Sequence, residues 1–347
     1  MNIVVVGGGP VGSLLAWVLA TGGSAVTLVR RRSTDEGSGT IVIARGGGSE
    51  AVPLDFARST QVVDTRTDAV VLAMKAYDVE STVASLPSSV ATVVTVQNGI
   101  GSEEAVLEAR PQGSLIAASL TASVELEPDG SVRWRRRGGI GLARVREGGR
   151  ISPDSLAEIL ERGGLPARVY ADWRAMKWSK LIGNLVGNAT SALLDMTPGD
   201  VYQHPDLFEI ERSQLREAFA VVRALGLDLV GLPDADVRRL ELALNAPALL
   251  SRPVLARIVA SARGGKEPSL RIGLSAAESA PVQSEIAWLN GAVARTAGSV
   301  GVGAPVNAAL TALVERSTTD ASLRASLRHQ PHALVAAIGE FVRRPLS

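Results

Sequence analysis

A run of β-branched residues, Ile3 to Val6, leads straight into glycines at 7, 9 and 12, in the register G-x-G-x-x-G. Leu14, Leu15, Val18 and Leu19 then recur at helical spacing, so the opening reads strand, glycine turn, helix. Gly7 permits the tight turn, Gly9 lets a pyrophosphate approach the backbone, and Gly12 lets the helix pack close to the strand. The helix start presents free N–H groups and a positive dipole end to phosphates. A lone glycine motif of this kind is weak evidence; placed between a strand and a helix it is strong. The expected fold is α/β, a Rossmann-type doubly wound parallel sheet.

A chain of 347 residues has room for a second domain, and 46% hydrophobic residues can build sizeable cores. The net charge of +1 gives no global field for nucleic acid or an acidic membrane. With no cysteine there is no disulfide, thiolate metal ligand or thiol nucleophile. His204, His329 and His332 are the only histidines, so no metal site is expected. The apolar stretch at 3–20 lacks a charged n-region and is interrupted by the glycine turn, which argues against a signal peptide. The expectation is a cytoplasmic protein with a small-molecule substrate and neither nucleic acid nor membrane as partner.

The second strand, Ala25 to Val29, ends in Arg30, Arg31 and Arg32. An NAD site usually has an acidic residue here for the ribose hydroxyls. A guanidinium instead suits a 2′-phosphate, whose oxygens it can grip with two parallel N–H groups. The cofactor expected is therefore NADP(H), with Arg30 first in line and Arg31 next. Thr40 to Ala44 and Val52 to Phe56 read as a short excursion of two strands. A further buried strand, Asp68 to Met74, runs into Lys75, where an exposed lysine and one meeting a phosphate are equally served by position. The strand Ala91 to Val96 ends in Gln97-Asn98-Gly99, and Asn98 can offer both a donor and an acceptor. Later strands and the hairpin turn Pro128-Asp129-Gly130 carry the first domain to residue 171. Arg135 to Arg137 read as a solvated face, with no aromatic interleaving.

From Asp172 the pattern is helical. One long helix is expected over Trp173 to Leu194, with Lys180, Asn184 and Asn188 sharing a face and Lys177 a turn earlier. An amide buried without a partner costs on the order of 1–3 kcal/mol. These asparagines therefore need polar groups opposite them, either neighbouring backbone or a substrate in an interdomain cleft. Further helices are expected to about residue 315, with Gly264 to Ala280 as a loop. In the tail, 316–347, Leu334, Val335, Ile338, Phe341 and Val342 have helical spacing. That helix would dock on its own subunit or on a partner, a homodimer being the protein partner admitted.

The segments GGGPVG at 7–12, MKAYDV at 74–79, QNGIG at 97–101, KLIGNLVGN at 180–188, GGKEPSL at 264–270 and SEIAWLNG at 284–291 together resemble the ketopantoate reductase family over residues 1 to about 315. The resemblance implies an NADP-binding Rossmann domain (1–171), an all-helical substrate domain (172–315) and an extension (316–347). It implies cofactor contacts from Gly7, Gly8, Gly9, Pro10, Val11 and Gly12, besides Arg30, Arg31, Lys75 and Asn98. Lys180 matches the family's catalytic lysine, and Glu285 the glutamate of its E-[IV]-D motif, a catalytic residue that bonds a substrate hydroxyl or orients Lys180. Asn98, Asn184, Asn188 and Ser269 match residues that meet substrate, together with Lys180 and Glu285. The implied reaction is NADPH-dependent reduction of a 2-oxo acid, 2-dehydropantoate to pantoate on the route to pantothenate and coenzyme A. A relative acting on another branched 2-oxo acid, or a catalytically silent NADPH-binding module, is the alternative. Two departures stand out: Ala287 where the family usually has Asp, and Pro198 where it often has Asn.

Overall fold

The β-branched runs form the middle of one mixed sheet of eleven strands. The computed structural model describes residues 1–31, 36–136, 138–262, 269–276 and 283–343. Arg32, Arg137, Gly264 to Pro268 and the last residues of the tail lie outside them. In chain order the first elements are β1 (Asn2–Val6), α1 (Pro10–Thr21), β2 (Ala25–Val29), β3 (Gly37–Arg45), β4 (Gly48–Ala57), β5 (Ala69–Leu72), α2 (Val79–Ala84), β6 (Thr92–Thr95) and α3 (Ser102–Ala109). They continue with β7 (Ser114–Leu120), β8 (Ser123–Leu126), β9 (Val132–Arg136), β10 (Ile140–Arg146), α4 (Pro153–Arg162), β11 (Ala167–Tyr170) and α5 (Trp173–Leu185).

The parallel part runs β4-β2-β1-β5-β6-β7. Both edges add antiparallel pairs, β3 with β4 and β10 with β7, so the sheet is mixed rather than wholly parallel. Alternate residues of the central strands feed different cores. Ile3 and Val5 pack with α1 and α4 through Trp17, Leu156 and Ile159. Val4 and Val6 pack with α2 and α3 through Val79, Val83 and Val106. Burial on both faces explains the continuous apolar runs. Strand order reverses at β1, which has β2 on one side and β5 on the other; ligands of such sheets bind beyond the strand ends at that reversal.

The chain divides into two units, Met1–Lys177 with Gly231–Asp236, and Trp178–Val230 with Val237–Ser347. The division thus falls inside α5, a few residues beyond Asp172. Asp172 caps the helix, accepting from the backbone N–H of Arg174 at 2.7 Å. The first turn belongs with the sheet: Trp173, Ala175, Met176 and Lys177 are all buried. The returning segment 231–236 is tied there too, because the Thr121 and Tyr170 hydroxyls donate to the carbonyls of Pro233 (2.7 Å) and Gly231 (2.6 Å).

The second unit is helical: α6 (Ala189–Leu194), α7 (Pro198–Gln203), α8 (Pro205–Ala224), α9 (Arg238–Asn245), α10 (Ala248–Ala262), α11 (Ser269–Ala276), α12 (Asn290–Ser299), α13 (Pro305–Ser317), α14 (Ala321–Leu327) and α15 (Pro331–Arg343). The long α8 is its axis, with α7, α9, α12, α13 and α15 packed against it. Two expectations are corrected, and one left open is decided. The single helix over 173–194 is two, α5 and α6. Within the loop expected over 264–280, residues 269–276 are helical. The tail holds two helices, and α15 docks on its own chain through Leu334 and Ile338. Among the described residues no helix is long and apolar enough to cross a membrane, and no cluster of acidic and histidine side chains could hold a metal.

Candidate active site

Gly7 follows β1 with φ +126°, and a Cβ there would sit 2.6 Å from the carbonyl carbon of Ala73. The glycine turn and the end of β5 therefore touch backbone to backbone. At Gly12 a Cβ would meet the carbonyl oxygen of Gly7 at 1.8 Å, so helix and turn also close on each other. Nothing stands within 4 Å of a Cβ built on Gly9, the N-cap of α1, and no side chain caps that helix. Pro10 fills its first position, where no N–H is needed. Open backbone, a helix start and no capping side chain are what a pyrophosphate requires. The residues present fit a dinucleotide.

Arg30 lies against the same turn. Its Cγ would be 2.6 Å from a Cβ on Gly8, and its guanidinium stacks 4.4 Å from the centroid of Phe56. Arg31 reaches elsewhere, donating to the Thr82 hydroxyl on α2 at 2.8 Å. Arg30 and Gly8 are brought together; Arg31 is drawn off toward α2.

Lys75 and Asn98 are both exposed, at the ends of β5 and β6. The backbone that carries them is braced by a network with no local signal in the sequence. The Gln97 amide donates to the carbonyls of Leu72 (2.7 Å) and Met74 (3.2 Å), bridging the two strand ends. The Gln97 carbonyl in turn accepts from the Lys177 ammonium at 2.7 Å. That ammonium pairs with Glu103 at 3.0 Å, both side chains being essentially inaccessible to solvent (1% and 0%). The Thr95 hydroxyl donates to the same carboxylate. A buried charge pair persists only when its remaining hydrogen bonds are also supplied. Here the end of β6, which presents Asn98, supplies two of them, the Gln97 carbonyl to the ammonium and the Thr95 hydroxyl to one carboxylate oxygen. Lys177 is thus no part of a face shared with Lys180; it is a brace beneath Asn98.

In the second unit Lys180 and Asn184 are half-buried, one helical turn apart on α5, between the buried Leu181, Ile182 and Leu185. Asn188 does not continue that face. The helix ends at Leu185, and Gly187 takes φ +59°. The cause is Glu211 on α8, fully buried, whose carboxylate accepts from the Gly187 backbone N–H at 2.8 Å and from the Thr190 hydroxyl at 2.6 Å. Desolvation pushes the Glu211 carboxyl above its ordinary pKa, against these hydrogen bonds. Set by this break, the Asn188 amide turns to α11. It accepts from the Leu270 backbone N–H at 3.2 Å and lies 3.4 Å from the Ser269 hydroxyl. Asn188 and Ser269 are therefore brought together, and neighbouring backbone satisfies part of the amide.

Glu285 is buried and precedes a single 3-10 turn, Ile286–Trp288. The path breaks at Leu289 because Asn290 is recruited inward: its amide donates to Gln214 at 2.7 Å and Asn307 at 2.9 Å. Gln214 also donates to Glu211 at 2.8 Å. One buried polar chain thus links the Gly187 break to the Glu285 turn. Pro198 begins α7 behind a Thr197 cap, against Gly187.

A glycine turn at the switch point of a mixed sheet with a parallel centre, followed by a helical unit, is the framework of a dinucleotide-binding protein. The chain belongs to the ketopantoate reductase family: the model "Ketopantoate reductase PanE/ApbA" matches residues 3–147 and that of its C-terminal domain matches 172–317. It is 30% identical to the 2-dehydropantoate 2-reductase of Pyrobaculum aerophilum, over 90% of this chain and 96% of that protein. With the 2-dehydropantoate 2-reductase of Halobacterium salinarum the identity is 28%, over 92% of this chain and all of the other. The fold is also that of a PanE/ApbA family ketopantoate reductase from Ralstonia eutropha (TM-score 0.74, 24% identity, 92% of this chain and 98% of that one). It is shared by D-mandelate dehydrogenase with NADH and anilino(oxo)acetate (TM-score 0.74, 20% identity, 93% and 99%). The protein is a reductase of this family, working with a nicotinamide cofactor.

Proposed function

We propose that the chain reduces 2-dehydropantoate to pantoate with NADPH. The observation that carries this reading is the half-buried Lys180 with Asn184 one turn on, set among the buried Leu181, Ile182 and Leu185 in a ketopantoate reductase family member. NADPH, when bound, supplies the hydride that adds to the ketone carbon. Arg30 beside Gly8 favours the 2′-phosphate of NADP over a bare ribose. As negative charge grows on the ketone oxygen, the Lys180 ammonium stabilises it and delivers the proton that completes the alcohol. Asn98, Asn184, Asn188 and the Ser269 hydroxyl orient the carboxylate and hydroxyl of the substrate. Glu285 bonds a substrate hydroxyl or orients Lys180; Lys180 and Glu285 are the catalytic pair. Lys75 meets the cofactor.

A second reading, another bulky 2-oxo acid as substrate, is favoured by Pro198 and Ala287, which offer no side-chain polar group where the family commonly has one. The test is oxidation of NADPH by purified protein with 2-dehydropantoate beside a panel of 2-oxo acids, and with NADH in parallel. NADPH-selective turnover of 2-dehydropantoate is expected, and Lys180→Ala should lower kcat by about a hundredfold to ten-thousandfold with NADPH still bound. Turnover of a different acid alone would move the substrate; binding of NADPH without any turnover would leave a silent module.

A further inference from the structure

The extension beyond residue 317 lies outside the matched family model, yet it reaches the segment assigned to the substrate. The route is α6. At its start Asn188 docks the first turn of α11 through Ser269 and Leu270. At its end stands Asp195, a non-glycine residue in the left-handed region (φ 52°). One oxygen of Asp195 accepts from the Arg271 guanidinium through Nε at 2.9 Å and a terminal nitrogen at 2.8 Å. The two ends of one short helix thus hold the same turn of α11, Asn188 at Ser269 and Leu270 and Asp195 at Arg271.

The other Asp195 oxygen belongs to the extension. Arg328 pairs with it at 2.8 Å, His329 Nε2 lies 3.7 Å from it, and the His329 backbone N–H donates to the Leu194 carbonyl at 2.8 Å. His329 is itself left-handed, with φ 54°. Two such residues meeting at one corner each carry a backbone cost, which persists only where surrounding contacts enforce it. Behind the corner, α15 is anchored by the buried Leu334 and Ile338.

We propose that the extension is a strap for substrate binding: through Arg328 and Asp195 it fixes α11, and so Ser269, in the geometry that grips the 2-oxo acid. The inference rests on the assignment of Ser269 to substrate. Arg328 and Asp195 are positioning residues, with no contact to the reacting atoms.

The test compares R328A, R328K, D195A and S269A, and the double variant R328A/S269A, in the full-length chain. The readouts are KM and kcat for the 2-oxo acid, NADPH affinity, and hydrogen exchange of residues 269–276. Arg328 is partly exposed, so R328A should raise KM by about two- to fivefold, the worth of such an ion pair. D195A, which releases both arginines, should raise it about tenfold. In each, kcat changes less than twofold, NADPH affinity holds, and exchange in 269–276 accelerates; R328K restores most of the KM. Because Arg328 acts through Ser269, R328A should add little to KM in the S269A background. If S269A raises KM while R328A changes neither KM nor exchange in α11, the strap is refuted and the substrate assignment stands. If S269A leaves KM unchanged, the assignment fails and the proposal falls with it. A drop in thermal stability with KM and exchange in α11 unaltered would make the extension structural alone.

Discussion

Lys177 shows how much one side chain can carry without touching a ligand. Its ammonium serves a buried carboxylate and the Gln97 carbonyl at once. Lys177→Met leaves Glu103 buried without its cation and should cost about 3–5 kcal/mol, read from urea denaturation. Adding Glu103→Gln should recover part of that loss; no recovery would mean the pair is not the source of the stability. Such a residue is illegible in sequence because its partner stands 80 positions away. Gly7, Gly9 and Gly12 were legible for the opposite reason. Their requirement is local, a turn between a strand and the helix directly after it, and the close contacts at Gly7 and Gly12 bear it out. Asn188 lies between: its polar need was readable, but its partner, the start of α11, was not.

At the level of elements, the expected helix over 173–194 broke because a tertiary contact outweighed local propensity. Nothing within 173–194 except Gly187 and its neighbours hints at the break, and the carboxylate that imposes it lies 24 residues on. Glu211 keeps its proton in the folded chain at a pH where an unfolded glutamate has lost it, burial being the cause. Its contribution to stability is therefore complete below the unfolded value of about 4.3 and declines as pH rises through the raised folded value. Glu217, also raised by burial, adds to the same decline. In Glu211→Gln, the fall of unfolding free energy as pH rises above the unfolded value of about 4.3 should be shallower than in the parent. Parallel curves would show that Glu211 titrates alike in the folded and unfolded chain. The central strands, by contrast, were read close to their true limits, since a β-branched run buried on both faces has few alternatives; the more exposed excursion strands, read as Thr40 to Ala44 and Val52 to Phe56, extend over Gly37–Arg45 and Gly48–Ala57.

For the whole molecule, a nicotinamide cofactor that binds only the folded chain raises its stability by mass action, by about 2.7 kcal/mol at a hundred times Kd. Melting curves should therefore shift upward more with NADPH than with NADH at equal concentration, and Arg30→Ala should bring the two shifts together. Equal shifts in the parent would remove Arg30 from the choice of cofactor. The general plan, a Rossmann-type unit followed by a helical one, was plain from the change in periodicity near Asp172. The return of Gly231–Asp236 to the first unit was not, because six residues of loop carry no pattern of their own.

That return has a consequence for how the protein is made. Domains tend to fold as units, the amino-terminal one first, as the chain leaves the ribosome. Here the first unit is unfinished when Lys177 emerges: Thr121 and Tyr170 still await the carbonyls of Pro233 and Gly231. Residues 178–230 must be translated before those bonds can form. The nascent sheet therefore waits, partly unsatisfied, while the first third of the helical unit is being synthesised, and a gene cut at the apparent boundary would leave it waiting permanently.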